Sequence, residues 1–175
     1  MRLYTRTGDD GFTYCVALGK RIPKDSDLME FLGTLDEANS SLGLARSLLP
    51  SELRELDEVL SRIQRIIFDV GFSLASRESA PGEEVIKWLE EIADRYSENI
   101  DLKGFVLPAG PPPAAALHLA RTIIRRAERR LVRLMRAGEV KVDPDLIKVL
   151  NRMSDSLFAL ALHVTVAMGG ELELV

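Results

Sequence analysis

Ala120-Arg121-Thr122-Ile123-Ile124-Arg125-Arg126-Ala127-Glu128-Arg129-Arg130 is the stretch that decides the fold. At about 100° per residue, Leu117, Ala120, Ile124, Ala127, Leu131 and Leu134 fall on one apolar stripe. The run begins after Pro111-Pro112-Pro113, extends to about Ala137 and stops at Gly138. Arg121 and Glu128 sit at the edge of the stripe and Arg125 just beyond it, whereas Arg126 and Arg133 point nearly opposite, toward water. Arg121, Arg125 and Glu128 therefore form a semi-buried file in which charge without a partner is costly. Guanidiniums so placed favour bidentate pairing with carboxylate or phosphate. Nucleic acid is the rival ligand for an Arg-rich helix, but no aromatic residues interleave and the net charge is −4.

Working outward, four more stretches share the helical period. The first runs from about Asp27 to Leu49, with Ser26 as N-cap and Leu28, Phe31, Leu32, Leu35, Ala38, Leu42, Ala45 and Leu49 on its stripe. The second starts at Ser51, and a third follows the Pro81-Gly82 break, from Glu83 to about Asn99. The last spans about Pro144 to Met168, ends at Gly169-Gly170, and is apolar nearly all round from Leu157 onward. That places it at the centre of the bundle or at a subunit interface. Five long helices with short connections predict an all-α, up-and-down bundle.

Bulk properties narrow the class further. The 175 residues fit one domain, 1–175, with an irregular segment over 1–25 and the bundle over 26–170. A single cysteine, Cys15, excludes a disulfide framework, and a total of two histidines, His118 and His163, argues against a His-based metal cage. The opening residues lack an apolar h-region and no apolar run is long enough to span a bilayer, so a cytoplasmic protein without membrane partners is expected.

Two irregular segments interrupt the helical pattern, and rigid scaffolds commonly carry their sites on such loops. Thr5-Arg6-Thr7-Gly8-Asp9-Asp10-Gly11 combines hydroxyls, a guanidinium and glycines that turn backbone N–H groups toward an anion. Asp9 and Asp10 would suit water around magnesium; the same residues also make an ordinary surface turn. Phe12 to Leu18 reads as a strand in need of a partner. Lys20, Arg21 and Lys24 then crowd the start of a helix, where positive charge is disfavoured unless an anion is present or the loop is simply solvated. Between Leu102 and Pro113, Pro108, Gly110 and the proline triplet impose a stiff path. Within the helices, Asn39 falls inside the first stripe and Asp36 on its shoulder, while Asn151 and Asp155 share one face of the last helix. Each of these also reads as a plain interhelical polar contact.

In order, these segments resemble the PduO-type ATP:cob(I)alamin adenosyltransferases over nearly the whole chain. Residues 5–11 (TRTGDDG) are similar to that family's nucleotide loop, and 21–24 with 30–39 to its Lys-to-GTxDELN stretch. Residues 105–108 (FVLP) are similar to its FxLPGG loop, 121–129 (RTIIRRAER) to its strongest motif, and 150–155 (LNRMSD) to its last. Ala109, the Pro111–Pro113 run, Ala38, Val149 and Leu162 depart from the pattern.

The resemblance implies a ferritin-like, cobalamin adenosyltransferase-like bundle that moves the 5′-deoxyadenosyl group of ATP to cobalt and releases triphosphate. ATP and cob(I)alamin would be the substrates, with magnesium on the phosphates rather than in a protein metal site. By resemblance Thr5, Arg6, Thr7, Gly8, Thr13, Tyr14, Lys24, Arg125, Arg126, Glu128, Arg129 and Asn151 would bind ATP. Asp36 and Arg121 would form a salt bridge, and Phe105 would occupy the lower face of the corrin and displace its axial ligand. The resemblance also implies a homotrimer with sites between subunits, a flavin-type reductase as electron source and an adenosylcobalamin-dependent mutase as recipient. Two other functions compete: a carrier that delivers adenosylcobalamin to a mutase, and a nucleic-acid-binding bundle.

Overall fold

The structure is a computed structural model that describes residues 2, 4–76, 79–138 and 140–175. Among these residues the chain forms a β-hairpin, β1 (Phe12–Cys15) and β2 (Lys20–Pro23), followed by α1 (Asp27–Ser47). A 3₁₀ turn (Ser51–Leu53) then leads into α2 (Glu55–Ala75), α3 (Glu83–Ser97), α4 (Pro112–Ala137) and α5 (Asp145–Ala167). The helix ends obey local chemistry. Pro112 and Pro113 occupy the first turn of α4, where a missing N–H costs nothing, and Gly138 ends it in the left-handed conformation at φ 68°. Ser26 has the extended backbone of an N-cap, but its hydroxyl makes no capping bond.

Spatial order differs from chain order. α1 packs on α4, α4 on α5 and α5 on α3, with α2 against the other side of α1. The stripe read from α4 is fully buried at Leu117, Ala120, Ile124, Ala127, Leu131 and Leu134. It meets Phe31, Leu35, Ala38 and Leu42 of α1 and Met153, Leu157 and Leu160 of α5 in one core cluster. Each large side chain there contributes roughly 1.5–3 kcal/mol of transfer free energy. α5 lies between α4 and α3, which explains its apolar circumference.

The strand expected over Phe12 to Leu18 is shorter, because Val16 to Gly19 turn the chain back. Its partner is Lys20–Pro23, in antiparallel register Thr13↔Ile22 and Tyr14↔Arg21. Alternation sends Cys15 and Ile22 into the core, and the Ala17 amide donates to the Ala75 carbonyl at the end of α2 (2.8 Å). The hairpin is thereby fixed to the bundle.

An ion ladder joins α1 to α4. Asp27 pairs with Arg133 (2.8 Å), Glu30 with Arg130 (2.7 Å) and Glu37 with Arg126. Arg126 and Arg133 therefore do not simply face water as the helical wheel suggests. Partly exposed pairs add little stability, but they consume the charge of this face.

Two glycines test the backbone. Gly110 has φ 122° and a Cβ there would lie 2.8 Å from Thr165 Oγ1, whereas a Cβ on Gly138 would meet nothing. Gly138→Ala should cost about 1 kcal/mol of left-handed strain, and Gly110→Ala about 3 kcal/mol because a collision is added. Denaturant unfolding measures both, and equal losses would contradict the close approach.

Candidate functional site

Two cationic regions are built on different elements. The first is the loop before β1. Arg6 adopts φ 63°, the positive-φ non-glycine among the described residues, and the Thr5 and Thr7 hydroxyls share a hydrogen bond of 2.8 Å. Lys24 Nζ donates to the Gly8 carbonyl at 2.7 Å, and a Cβ on Gly8 would sit 3.0 Å from that nitrogen. Arg21 donates to the Thr7 carbonyl (3.0 Å) and to Asp10 (2.6 Å). The basic residues near the start of α1 thus grip loop oxygens while staying exposed, ready to exchange a carbonyl for a stronger anion. Asp10 is committed to Arg21, whose hydrogen bond holds its carboxyl below the usual range. Thr13 and Tyr14 follow on β1, with Tyr14 exposed.

The second region is a cleft of about 290 Å³ between α4, α5 and the loop after α3. Arg121 and Arg125 line it from α4, Ser154, Asp155 and Phe158 from α5, and Leu102, Gly104, Phe105 and Val106 from the loop. Arg121 stands over the Phe158 ring (5.6 Å), and its buried Nε has no hydrogen-bond partner. Burial first, and the nearby Arg125 second, push its guanidinium pKa down. This is the signature of a positive site short of an anion. Phe105 is 87% exposed at the loop tip, so an aromatic ring projects beside that uncompensated charge.

Behind the cleft a polar chain fixes the helices. Asn151 donates to Glu128 (3.2 Å) and accepts from Arg152 (2.7 Å), which in turn donates to Glu90 of α3 (2.7 Å). Arg129 donates to the Arg125 carbonyl one turn earlier (3.0 Å). Glu128 and Asn151, singled out by sequence, are therefore in direct contact.

Other expected groupings do not form within the chain. Asp36 and Arg121 share no ion pair among the described residues. On the α1 face that meets α4 it is the adjacent Glu37 that takes an arginine, Arg126. Asp36 instead lines an apolar groove between α1 and α2 with Leu32, Phe68 and Phe72. Arg126, one of the residues expected to bind ATP, is partly exposed and paired with Glu37. Nor does any hydrogen bond or ion pair among the described residues join the Thr5–Lys24 region to Arg125 or Arg129. Sequence reading did not anticipate Phe158, which looks like any apolar residue of α5. It also missed the segment 171–175, whose period-two alternation (ELELV) is a legible strand signal.

The bundle thus sets one desolvated guanidinium, Arg121, with the exposed Arg125 beside a projecting aromatic, an arrangement suited to an anion next to a flat apolar partner. The family model for cobalamin adenosyltransferase matches residues 3–164, and the chain belongs to that family. The chain is 42% identical over 181 residues to a corrinoid adenosyltransferase of Bacillus subtilis, covering 99% of this chain and 92% of that one. It is 38% identical over 181 residues to corrinoid adenosyltransferase MMAB of Mus musculus, covering 97% and 75%. A variant PduO-type ATP:corrinoid adenosyltransferase from Lactobacillus reuteri, solved with cobalamin and ATP, superposes with TM-score 0.92 at 36% identity over 99% of both chains.

His118 supplies a check on the electrostatics beside the cleft. Its ring is buried 6.0 Å from Phe158 with neither nitrogen bonded, and burial, then Arg121, pushes its pKa down from 6.5. The unfolded chain takes up a proton that the folded ring refuses, so stability falls as pH drops through about 6.5 toward the lower folded value. Unfolding between about pH 7.5 and about pH 5.5 should show a steeper loss for the parent than for His118→Phe. Equal slopes would mean that the ring is not held neutral.

Proposed function

We propose that the protein transfers the 5′-deoxyadenosyl group of ATP to the cobalt of cob(I)alamin, releasing triphosphate. The observation that carries this reading is the buried, unbonded Nε of Arg121, in one cleft with Arg125 and the exposed Phe105. Cob(I)alamin is itself a strong nucleophile, so the chain need supply no nucleophile of its own. Its work is to align cobalt with the ribose C5′, to neutralise the leaving polyphosphate and to make cobalt reducible.

Arg125 and Arg129 would meet phosphate oxygens, with Glu128 and Asn151 fixing their helix. Thr5, Arg6, Thr7, Gly8, Thr13, Tyr14 and Lys24 would enclose the rest of ATP. Magnesium would ride on the phosphate oxygens and offset their charge. Phe105 would cover the lower corrin face and keep an axial base away, which makes four-coordinate cob(II)alamin easier to reduce.

The separation of the two cationic regions supports sites shared between copies of a homotrimer. Asp36, lodged in a groove with Phe68 (54% exposed) and Phe72 (44% exposed), complements the unpaired Arg121. A second copy would bury the phenylalanines and complete that salt bridge. We read the chain as one domain acting in the cytoplasm, where a free buried thiol such as Cys15 is at home. No helix among the described residues is long and apolar enough to cross a membrane. A flavin-type reductase would supply the electron and a mutase would take the product. Nucleic-acid binding loses its footing, because Arg126, Arg130 and Arg133 already pair with α1.

Anaerobic mixing with ATP, magnesium and cob(I)alamin should give the absorbance of a cobalt–carbon bond, and an unchanged spectrum would reject the reaction. Arg125→Ala should keep its fold and lose roughly 10²-fold in turnover, the scale of one electrostatic contact to a developing charge. Phe105→Ala should slow reaction from cob(II)alamin more than from pre-reduced cob(I)alamin. Equal losses would remove Phe105 from the lower face.

A further inference from the structure

After α5 the chain turns back along the Phe105 loop. Val106 and Leu174 form an antiparallel bridge, flanked by two main-chain hydrogen bonds. Leu107 N–H donates to the Glu173 carbonyl (2.9 Å), and Val175 N–H donates to the Phe105 carbonyl (2.8 Å). The Val175 oxygen also lies 3.3 Å from where a Cβ on Gly104 would stand.

Loop and segment share one root, Thr165, which is buried and bonded to the Ala161 carbonyl (2.9 Å). A Cβ on Gly110, at the base of the loop, would collide with Thr165 Oγ1; one on Gly170 would lie 3.0 Å from the Thr165 carbonyl. Gly170 N–H donates to that same carbonyl (2.9 Å). Since the Phe105 side chain is almost wholly exposed, its packing cannot set where the ring stands. The backbone must do so, and residues 171–175 hold that backbone.

We propose that residues 171–175 are a positioning strap for Phe105, a two-bond ladder that fixes the angle at which the ring is presented to a corrin. The strap rests on the corrin-binding reading for its purpose, though not for its existence. Glu173 and Val175 act through the main chain and touch no substrate, so they are positioning residues. Losing one such bond shifts a local open–closed balance about fivefold, and losing both about 25-fold.

Val175→Pro deletes the N–H that reaches Phe105, whereas Val175→Ala keeps it; removing 171–175 deletes the whole ladder. Two readouts apply to the full chain and these variants. Hydrogen exchange at the Leu107 amide reports the strap without substrate. Absorbance of cob(II)alamin with ATP reports the four-coordinate form that Phe105 would favour. Val175→Pro should speed Leu107 exchange about fivefold and lower the four-coordinate to five-coordinate ratio by a similar factor, with ATP affinity unchanged. Removal of 171–175 should have the larger effect, and Val175→Ala should match the parent. The proposal is overturned if exchange and ratio do not move, if Val175→Ala is as damaging as Val175→Pro, or if ATP affinity falls in step. A parent protein that yields no four-coordinate species defeats the corrin reading instead, and the exchange rates still decide whether the strap exists.

Discussion

A guanidinium withdrawn from water needs an anion, and α4 has more guanidiniums than the chain has anions placed to meet them. Three are answered by α1, where Asp27, Glu30 and Glu37 take Arg133, Arg130 and Arg126. On the cleft side Arg121 keeps a buried, unbonded Nε, and Arg125 stands close enough to lower its pKa further. A desolvated guanidinium without counter-charge costs stability. A fold that keeps Arg121 so placed leaves it open to a bound polyphosphate or, in the proposed assembly, to a carboxylate from another copy. The rest of the architecture serves that arrangement: α1 neutralises one face of α4, and α5 with the Asn151–Glu128 contact sets the register of the other.

Division of the site follows from the same geometry. The Thr5–Lys24 region is fastened to the end of α2 through Ala17, while the cleft lies between α4 and α5. Arg21 and Lys24 meanwhile satisfy loop carbonyls and Asp10. Under the proposed assembly, a triphosphate would draw on both regions from different copies. The exposed phenylalanines beside Asp36 would then be the apolar surface on which those copies meet.

Most of the fold was legible because it rests on periodicity. The α4 stripe, the Gly138 stop and the buried character of α5 depend on local rules that side chains display directly. The hairpin was half legible: Phe12 to Leu18 reads as a strand, of which the structure keeps Phe12–Cys15, but Lys20–Pro23 carries too much charge to be recognised as its partner. Residues written on one helix face do come together, Arg121 and Arg125 in the cleft and Glu128 against Asn151, although Arg125 is exposed rather than semi-buried. Sequence reading was silent on which of two neighbours faces the partner helix within one chain. Asp36 and Glu37 differ by one position, and only the packing of α1 on α4 decides that Glu37 meets Arg126. The pairing of residues 171–175 with the Phe105 loop joins segments about seventy positions apart, and no local rule specifies such a contact.

Mixed assemblies probe the proposed sharing of the site between copies most directly. Lys24→Ala and Arg125→Ala each disable one half, so each alone should be nearly inactive. Co-assembled in equal amounts, some interfaces regain an intact loop opposite an intact α4, and adenosyl transfer should return to about a quarter of the parent rate. A mixture as inactive as its two components would contradict a site built from two copies.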